Sequence, residues 1–146
     1  MRGREFGAVV DFGQPVDTVF GYLADPRNRP EWQSSLIAVT LKERAAPYVG
    51  MRWRETTVVG VRPRMEITRL EPGATWSERG TWHGVEADLT LRFSPTDDGS
   101  RVRAEGVVRG AGPWAPPATL AGRLASAAIR SDLRRAAKVL EQRAHG

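Results

Sequence analysis

Two glutamates offer the best acid–base chemistry in this chain. Glu55 shares strand parity with Trp53, Thr57 and Val59, and Glu78 shares it with Trp76, Gly80 and Trp82. If both faces turn inward, two carboxylates meet a mostly apolar space. Burial then disfavours their ionised forms and raises their pKa. A carboxyl poised in that way can serve as general acid or base in an aldol cyclisation or dehydration. The competing reading is a reversed register, or pairing of each glutamate with an arginine such as Arg52, Arg64 or Arg79.

The aromatic side chains are the second resource. Trp53, Trp76 and Trp82 fall on predicted strands, Trp32 on a short helix, and Trp114 in a Pro- and Gly-rich loop. Either they line a pocket for a flat apolar ligand, or they fill a core. Trp32 and Trp114 are the stronger pocket candidates, and the loop around Trp114 is a gate or rigid packing. Tyr22 and Tyr48 could donate a phenol proton; Tyr22 also suits packing of the first helix. His83 stands beside Gly84 at a hairpin turn, without the partners a metal site needs. Cysteine is absent, which removes disulfides, thiolate nucleophiles and cysteine-based zinc sites. Neither a phosphate-binding glycine loop nor Gly-x-Ser-x-Gly occurs. No cofactor and no metal are expected.

The elements that would position these groups follow from periodicity. Glu5 to Phe12 reads as a strand, ended by Gln14-Pro15. Pro15 suits a helix start, and Val16, Val19, Phe20 and Leu23 form one helical stripe, stopped by Asp25-Pro26. A second short helix holds Pro30, Glu31 and Trp32. Five further strands are predicted at Leu36–Arg44, Met51–Val59, Arg62–Leu70, Thr75–Trp82 and Val85–Phe93, and the last at Arg101–Arg109. Short loops between consecutive strands imply an antiparallel meander. From Thr119 to Arg143 a long amphipathic helix is expected, with Leu120, Leu124, Ala127, Ala128, Leu133, Ala137 and Leu140 on its apolar side. Only that helix is large enough to cover a one-sided sheet, and a curved sheet around one helix leaves space for a pocket.

With 146 residues and no linker-like stretch, one domain over the whole chain is expected. The net charge of +5 raises the question of nucleic acid. Lys42 and Lys138 are the only lysines, and the arginines are scattered, with only Arg134-Arg135 adjacent. That pattern fits a GC-rich coding bias, so no nucleic-acid partner is expected. Met1 to Val10 lacks the apolar core of a secretory signal, and no run is long enough to span a membrane. A cytoplasmic protein, a monomer or weak homodimer without stable membrane insertion, is expected.

Specific motifs carry a likeness. Pro15 to Leu23, then Asp25-Pro26-Arg27-Asn28 and Pro30-Glu31-Trp32, resemble the first-helix signature of the START-like, Bet v 1-like superfamily, and within it the polyketide cyclase/dehydrase group. Val49-Gly50-Met51-Arg52-Trp53 resembles that family's third-strand opening. Phe93-Ser94-Pro95 with Gly99 to Val102 resembles its last hairpin, and Leu133 to Glu141 its terminal helix. The resemblance implies an α+β helix-grip fold: a curved antiparallel sheet of about seven strands around a long C-terminal helix, with two short helices after the first strand. It implies no catalytic set residue by residue.

The leading expectation is therefore binding of a small hydrophobic molecule, polyketide-, isoprenoid- or lipid-like. The expected contacts are Trp32, Trp53, Glu55, Met65, Trp76, Glu78, Trp82, Leu89, Trp114 and Leu124. The alternative is a polyketide cyclase or dehydratase using Glu55 and Glu78. A third class, an interaction module using the basic long helix, conflicts with the need for that helix to cover the sheet.

Overall fold

A computed structural model describes residues 3–145. Met1 and Arg2, part of the stretch read above for a signal, and Gly146 lie outside the described residues. Strand β1 (Gly3–Phe12) leads into helix α1 (Val16–Leu23), a 3-10 turn (Pro26–Asn28) and the short helix α2 (Arg29–Trp32). Six strands follow: β2 (Leu36–Thr40), β3 (Arg52–Thr57), β4 (Arg64–Glu71), β5 (Thr75–Trp82), β6 (Val85–Thr96) and β7 (Gly99–Gly110). After a second 3-10 turn (Gly112–Trp114), helix α3 runs from Ala115 to His145. The result is the expected helix-grip fold.

All strand pairs are antiparallel, in the order β1-β7-β6-β5-β4-β3-β2. The chain closes the meander by laying β1 beside β7, while β2 forms the opposite edge. A register shift between Ile67 and Arg69 interrupts the β4–β5 ladder beside Glu78. Such a bulge bends the strand and deepens the local twist. Among the described residues no helix is long and apolar enough to cross a membrane.

The long helix starts four residues before the expected Thr119. Pro116 and Pro117 sit in its first turn, where the backbone N–H groups have no intrahelical acceptor to lose. Its buried face also differs from the leucine-weighted expectation. Ala118, Gly122, Leu133, Ala136 and Leu140 are buried, whereas Leu120, Leu124, Ala127 and Ala128 are exposed. The cause is close approach. The helix packs on β1 and β7, Gly7 N–H donates to Ser126 Oγ at 3.1 Å, and a side chain at Gly122 would overlap Arg4. Small residues win that seam and the leucines rotate off it.

The core sits at the other end, where α1 and the C-terminal half of α3 meet the sheet. Val19, Leu23, Ile67, Leu91, Val102 and Leu133 are all fully buried there, and Phe20 meets Phe93 edge-on at 5.0 Å between ring centres. Tyr22 Oη donates to Glu31 at 2.9 Å, and Arg143 donates to both Glu31 oxygens at 2.9 and 2.8 Å. Burial, then the Glu31 hydrogen bond, holds the Tyr22 phenol well above its usual range. This phenol ties α1 to α2 and the end of α3 instead of reaching a pocket. Tyr48 donates to Glu43 at 2.8 Å on the surface.

Candidate functional site

Between the N-terminal half of α3 and the concave face of the sheet lies a cavity of about 460 Å³. Helix α3 gives it Pro117, Ala121, Ala125, Ala128, Ile129 and Asp132. These fall at spacings of three and four, as one face of a helix must. The sheet gives Phe6 from β1, Met65 from β4, Gly80 and Trp82 from β5, and Val85, Ala87 and Leu89 from β6. Ala121, Ala128 and Ser35 line it and are exposed, so the cavity opens to solvent along α3.

Its polar end is built on Arg29. Asn28 precedes the first residue of α2, and Pro30 follows it inside the first turn, so the chain enters α2 with Arg29 pointing beneath the sheet. The side chain is 3% exposed. Its Nε lies 2.7 Å from Glu55 Oε2. Its two terminal nitrogens donate to Glu78 Oε2 at 2.8 Å and Oε1 at 3.2 Å, the bidentate fork that a guanidinium favours. Trp32, Trp53 and Trp76 surround the guanidinium, with its carbon 5.6, 5.9 and 6.0 Å from their ring centres. That range allows a cation–π attraction, which gains strength where water is excluded.

Both glutamates therefore face inward, so the register is not reversed, and each sits beside an arginine. Glu55 also accepts from Trp53 Nε1 at 2.9 Å. Their arginine partner is Arg29, not Arg52, Arg64 or Arg79. Arg52 pairs with Glu66 and Arg79 with Asp88, both on the outer face. Burial pushes the Glu78 carboxyl up to about 7; Arg29 opposes the rise and Glu55 adds to it. For Arg29, burial works against the charge, but Glu55 and Glu78 outweigh it and hold the guanidinium above its usual range. One guanidinium thus serves two carboxylates, and the shared site retains a proton most readily on Glu78.

Asp132 completes this end from α3. It is 8% exposed. Its Oδ1 accepts from Ser34 N–H at 3.3 Å and Ser34 Oγ at 3.2 Å. Burial raises its pKa, while the Ser34 hydrogen bonds oppose the rise.

Of the ten expected contacts, Trp32, Glu55, Met65, Glu78, Trp82 and Leu89 line the cavity. Trp53 and Trp76 do not. They are buried behind the lining and pack against Arg29, because a buried guanidinium needs apolar walls as well as carboxylates. Trp114 lies outside the lining too. It stacks on His83 at 5.1 Å and meets Trp82 edge-on at 5.4 Å. A side chain at Gly84 would overlap Trp114, so this loop is wedged against the hairpin rather than hanging free. His83 adopts a left-handed φ of 52° there, and its side chain is exposed. Leu124 is 61% exposed; it sits one helical step outside the face that Ala121, Ala125 and Ala128 present. Arg29 and Asp132 were not among the expected contacts. Arg29 is one of twenty arginines in the sequence and the one that is buried among the described residues; its only local signal is its place between Asn28 and Pro30.

Comparison with known proteins agrees with this architecture. Protein structures sharing it include one from Mesorhizobium loti (19% identity, TM-score 0.76, covering 95% of this chain and 98% of that one). A START superfamily protein from Mycobacterium smegmatis shares 10% identity at a TM-score of 0.77, covering 94% of this chain and 97% of that one. The di-domain ARO/CYC StfQ from the steffimycin biosynthetic pathway shares 20% identity at a TM-score of 0.75, covering 99% of this chain and 52% of that one. At these identities the likeness establishes the fold. No curated protein sequence matches. The sequence model described as polyketide cyclase / dehydrase and lipid transport matches residues 4–141, nearly the whole chain, and the chain therefore belongs to that family.

Proposed function

We propose that the chain binds a small hydrophobic molecule in the cavity beneath α3. The observation that carries this reading is the cavity itself: about 460 Å³, walled mainly by aliphatic and aromatic side chains, with its charged groups gathered around Arg29. That volume is in the range of small-molecule sites, and a few polar groups in an apolar wall orient a ligand. In this reading Trp32, Met65, Trp82 and Leu89 supply apolar contact, and the Arg29–Glu55–Glu78 cluster anchors one end. Family membership supports a ligand-binding role. Native mass spectrometry before and after organic extraction tests it. An extra mass lost on extraction is expected; an unliganded mass that stays unchanged after incubation with hydrophobic extracts of the host would overturn the reading.

A second reading, cyclisation or dehydration of a polyketide intermediate, is favoured by one observation: burial brings the Glu78 carboxyl on the lining to about 7. A group with that pKa can accept and return a proton at neutral pH. The ARO/CYC StfQ supports the same direction by similarity. In that reading Glu78 moves the proton, and Arg29 and Glu55 position it. Glu78→Gln would then abolish turnover of the extracted molecule yet leave its binding within about three-fold.

A further inference from the structure

The polar end of the cavity carries a charge imbalance that selects among hydrophobic ligands. One guanidinium faces three carboxylates, Glu55, Glu78 and Asp132, all of them nine-tenths or more buried. Arg29 is already engaged by two carboxylates: its Nε lies 2.7 Å from Glu55 Oε2, in an ion pair without an aligned hydrogen bond, and its terminal nitrogens donate to Glu78. An incoming carboxylate would thus meet an arginine already shared by two glutamates, beside a third acidic group.

Asp132 provides the independent observation. Oδ1 takes both Ser34 hydrogen bonds, whereas Oδ2 has no hydrogen-bond partner among the described residues. Oδ2 is not shielded from the cavity, unlike the indole nitrogen of Trp32, which is shut off by its neighbours. Oδ2 therefore keeps an open acceptor toward whatever enters the cavity, and a cationic donor makes the strongest bond to a carboxylate. The charges near it are Arg29, already paired, and Arg135, exposed on the next turn of α3. The remaining polar lining, Gln33, Ser35, Thr57 and Thr81, carries no charge.

We infer that the cavity takes an apolar molecule carrying a protonated amine, with its ammonium on Asp132 Oδ2 and its frame along the wall made by Ala125, Ile129, Leu89 and Trp82. This rests on the ligand-binding reading above and narrows it to hydrophobic amines. The ammonium replaces the protons that the acidic cluster otherwise retains, so binding is accompanied by proton release.

The test is calorimetric titration of the intact chain at neutral pH with naphthylethylamine, naphthylethanol and naphthylacetate, three probes of one apolar frame. The amine is expected to bind about ten-fold or more tighter than the carboxylate, with the alcohol between. Its enthalpy should change with the ionisation heat of the buffer, reporting the released proton. Asp132→Asn keeps the shape and the Ser34 hydrogen bonds; it should weaken the amine about five-fold or more and leave the alcohol within about two-fold. Equal binding of all three probes, or tightest binding of the carboxylate, would overturn the inference and leave the cavity reading standing. Binding by none of them would overturn both. Should Asp132→Asn fail to fold, the probe order and buffer dependence of the unsubstituted chain decide the matter.

Discussion

Along α3, the C-terminal half sends Leu133, Ala136 and Leu140 into a filled core, whereas the N-terminal half turns Ala121, Ala125 and Ala128 toward open space. The same helix and the same sheet thus build a solid end and a hollow end. Side-chain size makes the difference. At the solid end, leucine and valine meet α1 and the sheet. At the hollow end, alanines stop short of the strands, and the helix leucines Leu120 and Leu124 point to solvent. Stability should therefore be concentrated at one end and ligand selection at the other. The buried ion cluster lies between them and contributes to both.

The comparison can be broken most forcefully at that junction. Arg29→Met leaves Glu55 and Glu78 buried without their counter-charge. Uncompensated buried charge costs on the order of 3–5 kcal/mol, so urea unfolding at neutral pH should show a loss of that size. A loss below about 1 kcal/mol would mean that the cluster is open to water. Leu133→Ala, in the filled end, should cost about 2–5 kcal/mol by the same measurement without changing which probes bind.

The pH dependence sharpens the contrast further. Burial lifts Glu78 from the usual 4.5 to about 7, so folding takes up a proton between those values. Its contribution to stability is full below the lower value and fades as pH rises through the upper one. Thermal melts should therefore show this component falling between about pH 5 and pH 8. Glu78→Gln should remove that slope, because a neutral amide needs no proton. A slope unchanged in the variant would place the titration elsewhere. The smallest effect is expected at Leu124→Gln: a change within about 0.5 kcal/mol, as for surface sites, and no loss of probe binding.

Strand pattern made much of this visible in the sequence. The parity of Trp53 with Glu55, and of Trp76 with Glu78, puts each carboxylate on the same face as its tryptophan, because strand side chains alternate; that this face is the concave one needed the sheet itself. Thr75–Trp82 matches β5 residue for residue. What pattern could not reach depended on the third dimension. Arg29 is one arginine among many, and its burial follows from the path of α2 beneath the sheet. Trp53 and Trp76 face inward as expected, yet they stand behind Arg29 rather than at the cavity wall. Periodicity alone also misplaced the seam of α3, since apolar patterning favours leucine while close packing on β1 favours Ala118 and Gly122. Asp132 reads as a solvated helix charge until Ser34 is brought beside it from ninety-eight residues away.

The division between a filled and a hollow end is tested most directly by filling the hollow one. Ala125→Trp adds bulk to the cavity wall without touching the Arg29 cluster or the Leu133 core. Native mass spectrometry of this variant and the unsubstituted chain, purified side by side, should show an extractable extra mass only on the latter, with thermal midpoints within a few degrees of each other. The same extra mass on both proteins, at equal occupancy, would contradict the account, because the ligand would then reside somewhere other than the cavity beneath α3.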